Sequence, residues 1–122
     1  MSQSHTHSKM NSYKTGIFSE FIARMYLRLH GFKIISQRYI TGRNTNRAEI
    51  DIIAKRKNLI IFVEVKHRKT IGAAWGAISD HQISRLRRAA ETFLLKKHWN
   101  GDARFDVIIV HGWHIDWIKK AI

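Results

Sequence analysis

The chain has no cysteine, so neither a disulfide framework nor thiolate metal ligands are open to it. It also lacks a long hydrophobic run. Its apolar segments are short and broken by charges, which excludes a membrane span and, at the N-terminus, the apolar core of a secretory signal. A cytoplasmic address is the expectation. Acidic residues are scarce: nine Asp and Glu stand against 22 Lys and Arg, a formal charge of +13 at pH 7. Such an excess favours polyanionic partners, nucleic acid first and DNA in particular, and no membrane partner. What remains is ordinary globular material, 44% hydrophobic and 11% aromatic over 122 residues, enough for one domain and one site.

Residues 1–12 are polar and Ser-rich, a composition that cannot repay the entropy of ordering, and are read as a disordered tail ahead of a single domain over 13–122. His5 and His7 in that tail read as solvated side chains and not as a metal tract. From Ile17 to His30 the residues Ile17, Phe21, Met25 and Leu29 recur at helical spacing, and Gly31 stands where a helix C-terminus favours positive φ. Phe32–Ile40 reads as a strand, followed by a basic turn-rich loop. Ala48–Lys55 and Leu59–His67 are β-branched runs separated by Arg56, Lys57 and Asn58, the signature of a tight antiparallel hairpin. Asp80–Lys97 places Ile83, Leu86, Ala90, Phe93 and Leu94 on one helical face. Arg104–Val110 is a further strand, and Trp113–Ile118 offers a last edge strand. A helix between the third and fourth strands suits a parallel pairing of the two. The order αβββαβ, with that extra C-terminal strand, describes an α/β fold: a mixed sheet flanked by helices.

Several of the few carboxylates sit inside the most apolar strands, where an unpartnered charge is expensive. Strand alternation puts Glu64 and Lys66 on one face with Ile60 and Phe62, and sends Glu49 and Asp51 to one side of the preceding strand. The hairpin then brings Asp51 beside Glu64. Two anions held close require either a proton or a cation between them. Mg²⁺ (or Mn²⁺) meets that requirement, taking one or two protein carboxylates plus a phosphate oxygen; the Val65 carbonyl is a further candidate ligand. In such a site Lys66 would orient water or stabilise charge on an attacked phosphodiester. The plainer reading is an ion pair on a half-exposed sheet face. The apolar flanks and the surplus of cations elsewhere weigh toward a metal-assisted phosphodiesterase.

Asp51 followed by Glu64-Val65-Lys66 across a hairpin resembles the PD-(D/E)xK nuclease superfamily, and the chain is more specifically similar to the YraN family of small bacterial proteins. The marks are Gly16-Ile17-Phe18-Ser19-Glu20-Phe21-Ile22-Ala23, Ala48-Glu49-Ile50-Asp51-Ile52-Ile53, Phe62-Val63-Glu64-Val65-Lys66-His67-Arg68, Arg85-Leu86-Arg87-Arg88-Ala89-Ala90 and Arg104-Phe105-Asp106-Val107. The resemblance implies a restriction-endonuclease-like fold, kinship to Holliday junction resolvases, and a Mg²⁺-dependent endonuclease acting on DNA, branched or structured DNA included. It also implies Glu20 as an additional ligand or water acceptor. Three departures stand out. Ala48 replaces a usual Gly, Ser19 replaces a usual Gly, and Gln82 replaces a usual Lys while still offering an amide to a water in the site.

Arg43, Arg47, Arg68, Lys69, Arg85 and Arg88 are the candidate phosphate contacts, each alone readable as a plain surface cation. Trp75 would stack on a base or pack over the second helix. Trp113 and Trp117 read as edge-strand packing or as a dimer surface, and a homodimer would present two sites to two strands. Asp106 reads as a structural acceptor, and His67, on the face opposite Lys66, is not enlisted as a base. Two other functions stay open: a non-catalytic basic nucleic-acid-binding protein on the same fold, and an adaptor recruiting a partner through Trp113 and Trp117.

Overall fold

The computed structural model describes residues 2–44, 47–67 and 79–122, with side chains from residue 16 onward. Seven elements follow in order: α1 (Ser2–Leu29), β1 (Lys33–Thr41), β2 (Ala48–Arg56), β3 (Leu59–His67), α2 (Asp80–Lys96), β4 (Asp102–His111) and β5 (His114–Ile118). The strands form one sheet in sequence order, β1 to β5. All neighbours are antiparallel except β3 and β4, which run parallel with α2 in the connection between them. This is a mixed α/β sheet of restriction-endonuclease-like type, with the edge strand β5 in place.

Alternation along the central strands splits the core in two. Ile61, Val63, Ile52 and Ala54 join Ala23 and Leu27 of α1 on one face. Ile60, Phe62 and Ile53 join Leu86, Ala89 and Phe93 of α2 on the other. Burial of a side chain such as Phe62 contributes about 1.5–3 kcal/mol, so these two layers dominate the stability. The hairpin between β2 and β3 closes on two residues, with Arg56 opposite Leu59 and Lys57 at φ 53°, the positive value that primed hairpin turns require.

Helix α1 ends in a Schellman arrangement. Gly31 sits at φ 86°, its N–H donates to the Arg28 carbonyl at 3.0 Å, and the Phe32 N–H donates to Leu27 at 3.0 Å. The helix differs from the sequence reading in the face it buries. Its buried row is Ser19, Ala23 and Leu27, whereas Ile17, Phe21, Met25 and Leu29 are exposed. Small side chains let a helix approach a sheet closely, and here they take precedence over the bulkier row four residues apart. Among the described residues no helix is long and apolar enough to cross a membrane.

Candidate active site

The ladder between β2 and β3 ends at Ile52 opposite Val63. One residue further on stand Asp51 and Glu64, where the strands no longer exchange hydrogen bonds. Regular alternation also breaks here. Ile50 and Ile53 face α2 while Ile52 faces α1, so the strand changes parity around Asp51. In the neighbouring strand β1, Arg38 takes φ 51° between the residues opposite Ile52 and Ile50, and a register shift lies further along, between Ile34 and Ser36 opposite Ala54 and Ile53. Asp51 Oδ2 accepts the Val65 N–H at 2.8 Å, which gives that amide an acceptor beyond the end of the ladder and fixes the aspartate against β3.

Glu64 continues the α2-facing row of Ile60 and Phe62 and is 8% exposed. Its Oε2 is buried with no hydrogen-bond partner. Burial, followed by hydrogen bonding to and repulsion from Asp51, pushes its carboxyl up to about 9; Lys66 pulls in the opposite direction and Glu49 adds to the rise. The glutamate is therefore protonated at neutral pH in the metal-free protein, the response expected of two anions confined together.

Helix α2 closes the site. Ser79 caps it, its Oγ accepting the Gln82 N–H at 3.2 Å, so the first turn starts beside the carboxylates. Gln82, Arg85 and Leu86 together with Asp51, Glu64, Glu49, Ala48 and Arg47 line a cavity of about 260 Å³. Arg85 Nη1 donates to the Arg47 carbonyl at 3.4 Å, and Arg47 pairs with Glu49 at 3.7 Å.

Asp51, Glu64 and Gln82 thus meet, as the hairpin and the family pattern imply. Lys66 is half-buried and electrostatically close to Glu64 but does not line the cavity. Glu20 does not join them: Arg38 Nε and Nη2 hold its two carboxylate oxygens at 3.3 and 3.4 Å, which makes it an anchor between α1 and β1. Val65 contributes its amide to Asp51. Of the candidate phosphate contacts, Arg47 and Arg85 line the cavity, while Arg43 and Arg88 meet Lys96 around a neighbouring depression. Arg68, Lys69 and Trp75 lie outside the described residues. Trp117 is half-buried, edge-on to Phe32 at 5.8 Å and donating to Asp106 at 2.8 Å. Trp113 is 84% exposed and meets Phe18 edge to face.

Arg85 reads from the sequence as one of six candidate phosphate contacts, and its place in the cavity wall beside the carboxylates is what that reading lacks. The signal was available: Arg85 follows Gln82 by three residues and precedes the buried Ala89 by four, one side of the helix.

The donor set suits a hard divalent cation. Asp51 and Glu64 offer carboxylate oxygens, and Glu64 Oε2 has no hydrogen-bond partner. Among the described residues no group of three or more His, Asp and Glu side chains is placed to hold one metal ion together, although Glu49, Asp51 and Glu64 all line the cavity. Mg²⁺ commonly makes do with one or two carboxylates and completes its shell with water and phosphate oxygens.

Fold and site together define a restriction-endonuclease-like α/β protein with a carboxylate pair at the point where two central strands part. The chain belongs to the uncharacterised protein family UPF0102, the YraN family, whose model matches residues 19–110. It is 34% identical over 104 residues to the UPF0102 protein amb4503 of Paramagnetospirillum magneticum, covering 84% of this chain and 81% of that one. It is 36% identical over 120 residues to a UPF0102 protein of Vibrio cholerae, covering 93% and 95% of the two chains. With the UPF0102 protein Atu0303 of Agrobacterium fabrum it shares 35% identity over 107 residues, 86% of this chain and 84% of the relative.

Proposed function

We propose that the protein is a Mg²⁺- or Mn²⁺-dependent endonuclease of the cytoplasm that hydrolyses phosphodiester bonds in DNA, branched or structured DNA included. The observation that carries the reading is the Asp51–Glu64 pair: two carboxyl groups held together in a cavity, one of them buried with an oxygen that has no partner. A purely structural pair would be expected to find a cation within the fold, as Glu20 does in Arg38.

Asp51 and Glu64 would hold the ion, with Asp51 oriented by the Val65 amide. When bound, Mg²⁺ supplies Lewis acidity that neutralises charge on the phosphodiester and acidifies water. Lys66, next but one to Glu64 on the strand, brings an ammonium whose role is to orient the attacking water or to stabilise charge. Gln82 offers its amide as a hydrogen-bond partner for that water. Arg43, Arg88 and Lys96 give the substrate backbone a basic path beside the cavity.

A second reading, a non-catalytic basic nucleic-acid-binding protein on the same fold, draws on the position of Lys66 outside the cavity lining. The two separate on one assay. Duplex, single-stranded and four-way-junction DNA are incubated with Mg²⁺ or Mn²⁺ and the wild-type chain, D51N, E64Q and K66A. The nuclease reading expects metal-dependent cleavage lost in all three variants. Salt-sensitive DNA binding by all four proteins without cleavage of any substrate would establish the binding module instead.

A further inference from the structure

Two residues of the cavity wall each carry a buried polar atom without a partner, one a donor and one an acceptor. Arg85 Nε is buried without a hydrogen-bond partner, as is Glu64 Oε2. Both residues line the same cavity of about 260 Å³. Its other guanidinium, that of Arg47, pairs with Glu49. Arg85, in the company of three acidic residues, forms no ion pair among the described residues. Instead Nη1 is tied to the Arg47 carbonyl, which fixes the plane of the guanidinium and leaves the Nε edge unused.

We infer that Arg85 forms an oxyanion subsite in the carboxylate cavity, its Nε–H donating to a non-bridging oxygen of the phosphodiester that is to be cleaved. The inference rests on the nuclease reading and adds to it a guanidinium at the reacting phosphate, as distinct from the cations that hold the rest of the backbone. The cavity is far larger than the about 30 Å³ of liquid volume that one water fills, so it has room for a ligand beside Arg85 and the two carboxylates. A ligand that fills it must accept from Arg85 and also sit beside two carboxylates, which calls for an anion that shares a divalent ion with them. A tetrahedral phosphodiester satisfies both conditions, and the planar guanidinium presents directed N–H donors to its oxygens.

The contact is read directly in the ¹H–¹⁵N spectrum of the arginine Nε–Hε groups of the whole chain, with the Arg85 resonance assigned by its loss in R85K. Thymidylyl-thymidine, which has one phosphodiester, is titrated in the presence of Ca²⁺, and thymidine alone serves as the phosphate-free probe. The Arg85 Nε–Hε resonance moves with the dinucleotide and stays in place with thymidine. No movement, or equal movement with both, overturns the subsite. In the cleavage assay R85Q is expected to lose about 100-fold in kcat, the usual effect of removing one oxyanion donor, with KM nearly unchanged. Cleavage by R85Q at the wild-type rate rejects the subsite and leaves the nuclease reading intact. A moving resonance in a protein that never cleaves DNA keeps the subsite as a phosphodiester-binding site and rejects the nuclease.

Discussion

Asp51 accepts the amide of Val65 across the gap where β2 and β3 separate, and the 2.8 Å hydrogen bond turns the aspartate toward the strand that carries Glu64. The proximity of the two carboxyls follows from backbone geometry and not from side-chain reach. It adds to burial, the larger cause, in raising the proton affinity of Glu64.

Replacing Asp51 should therefore release Glu64. In D51N the amide oxygen still accepts from Val65, while the charge of Asp51 is gone. The Glu64 carboxyl is expected to titrate below the value of about 9 it has in the wild-type chain, although burial keeps it above 4.5. Carboxyl ¹³C chemical shifts followed against pH measure this.

Stability of the metal-free protein should fall as pH rises between 4.5 and about 9. Over that window the native state keeps the Glu64 proton that the unfolded chain has released, so each step up in pH favours unfolding. Denaturant midpoints of E64Q, which has no proton to lose, should lack this component, with a relative gain that grows toward alkaline pH at up to about 1.4 kcal/mol per pH unit. Mn²⁺ should remove much of the difference by favouring the ionised carboxylate.

Asp106 predicts the largest loss of stability. Fully buried, it accepts from Arg104 Nε and Nη2 at 2.7 and 2.8 Å, from Trp117 Nε1 at 2.8 Å and from the Lys120 N–H at 3.2 Å. D106A strands all these donors and should cost about 3–5 kcal/mol in urea unfolding. The emission of Trp117 should shift as its indole loses its acceptor.

Gly101 tests the approach of the β2–β3 turn to the start of β4. A Cβ there would stand 2.6 Å from the Asn58 carbonyl oxygen, which also accepts the Asp102 N–H at 2.7 Å. Neither backbone can yield without loss of that hydrogen bond, so G101A should lower stability by about 1–3 kcal/mol in thermal or urea unfolding.

Much of this architecture is legible in the sequence because it follows from alternation and turn chemistry. Two β-branched runs split by Arg56, Lys57 and Asn58 form the hairpin, Gly31 ends α1, and the apolar face of α2 contains the residues that pack. Period-two reasoning also put Asp51 near Glu64, although the real path includes a change of parity between Ile50 and Ile52 that no pattern announces. What is not legible depends on tertiary competition. The exposed row of Ile17, Phe21, Met25 and Leu29 has the stronger hydrophobic signal, yet close packing selects Ser19, Ala23 and Leu27. Glu20 matches a family motif, yet Arg38, eighteen residues away in sequence, takes it.

Calorimetric titration of Mn²⁺ at pH 7, in two buffers of different ionisation enthalpy, decides whether Asp51 and Glu64 jointly hold one divalent cation. Joint binding is expected to give close to one ion per chain with release of about one proton, since Glu64 must give up its own, and to disappear in both D51N and E64Q. Undetectable binding, or binding and proton release that persist unchanged in both variants, would contradict it.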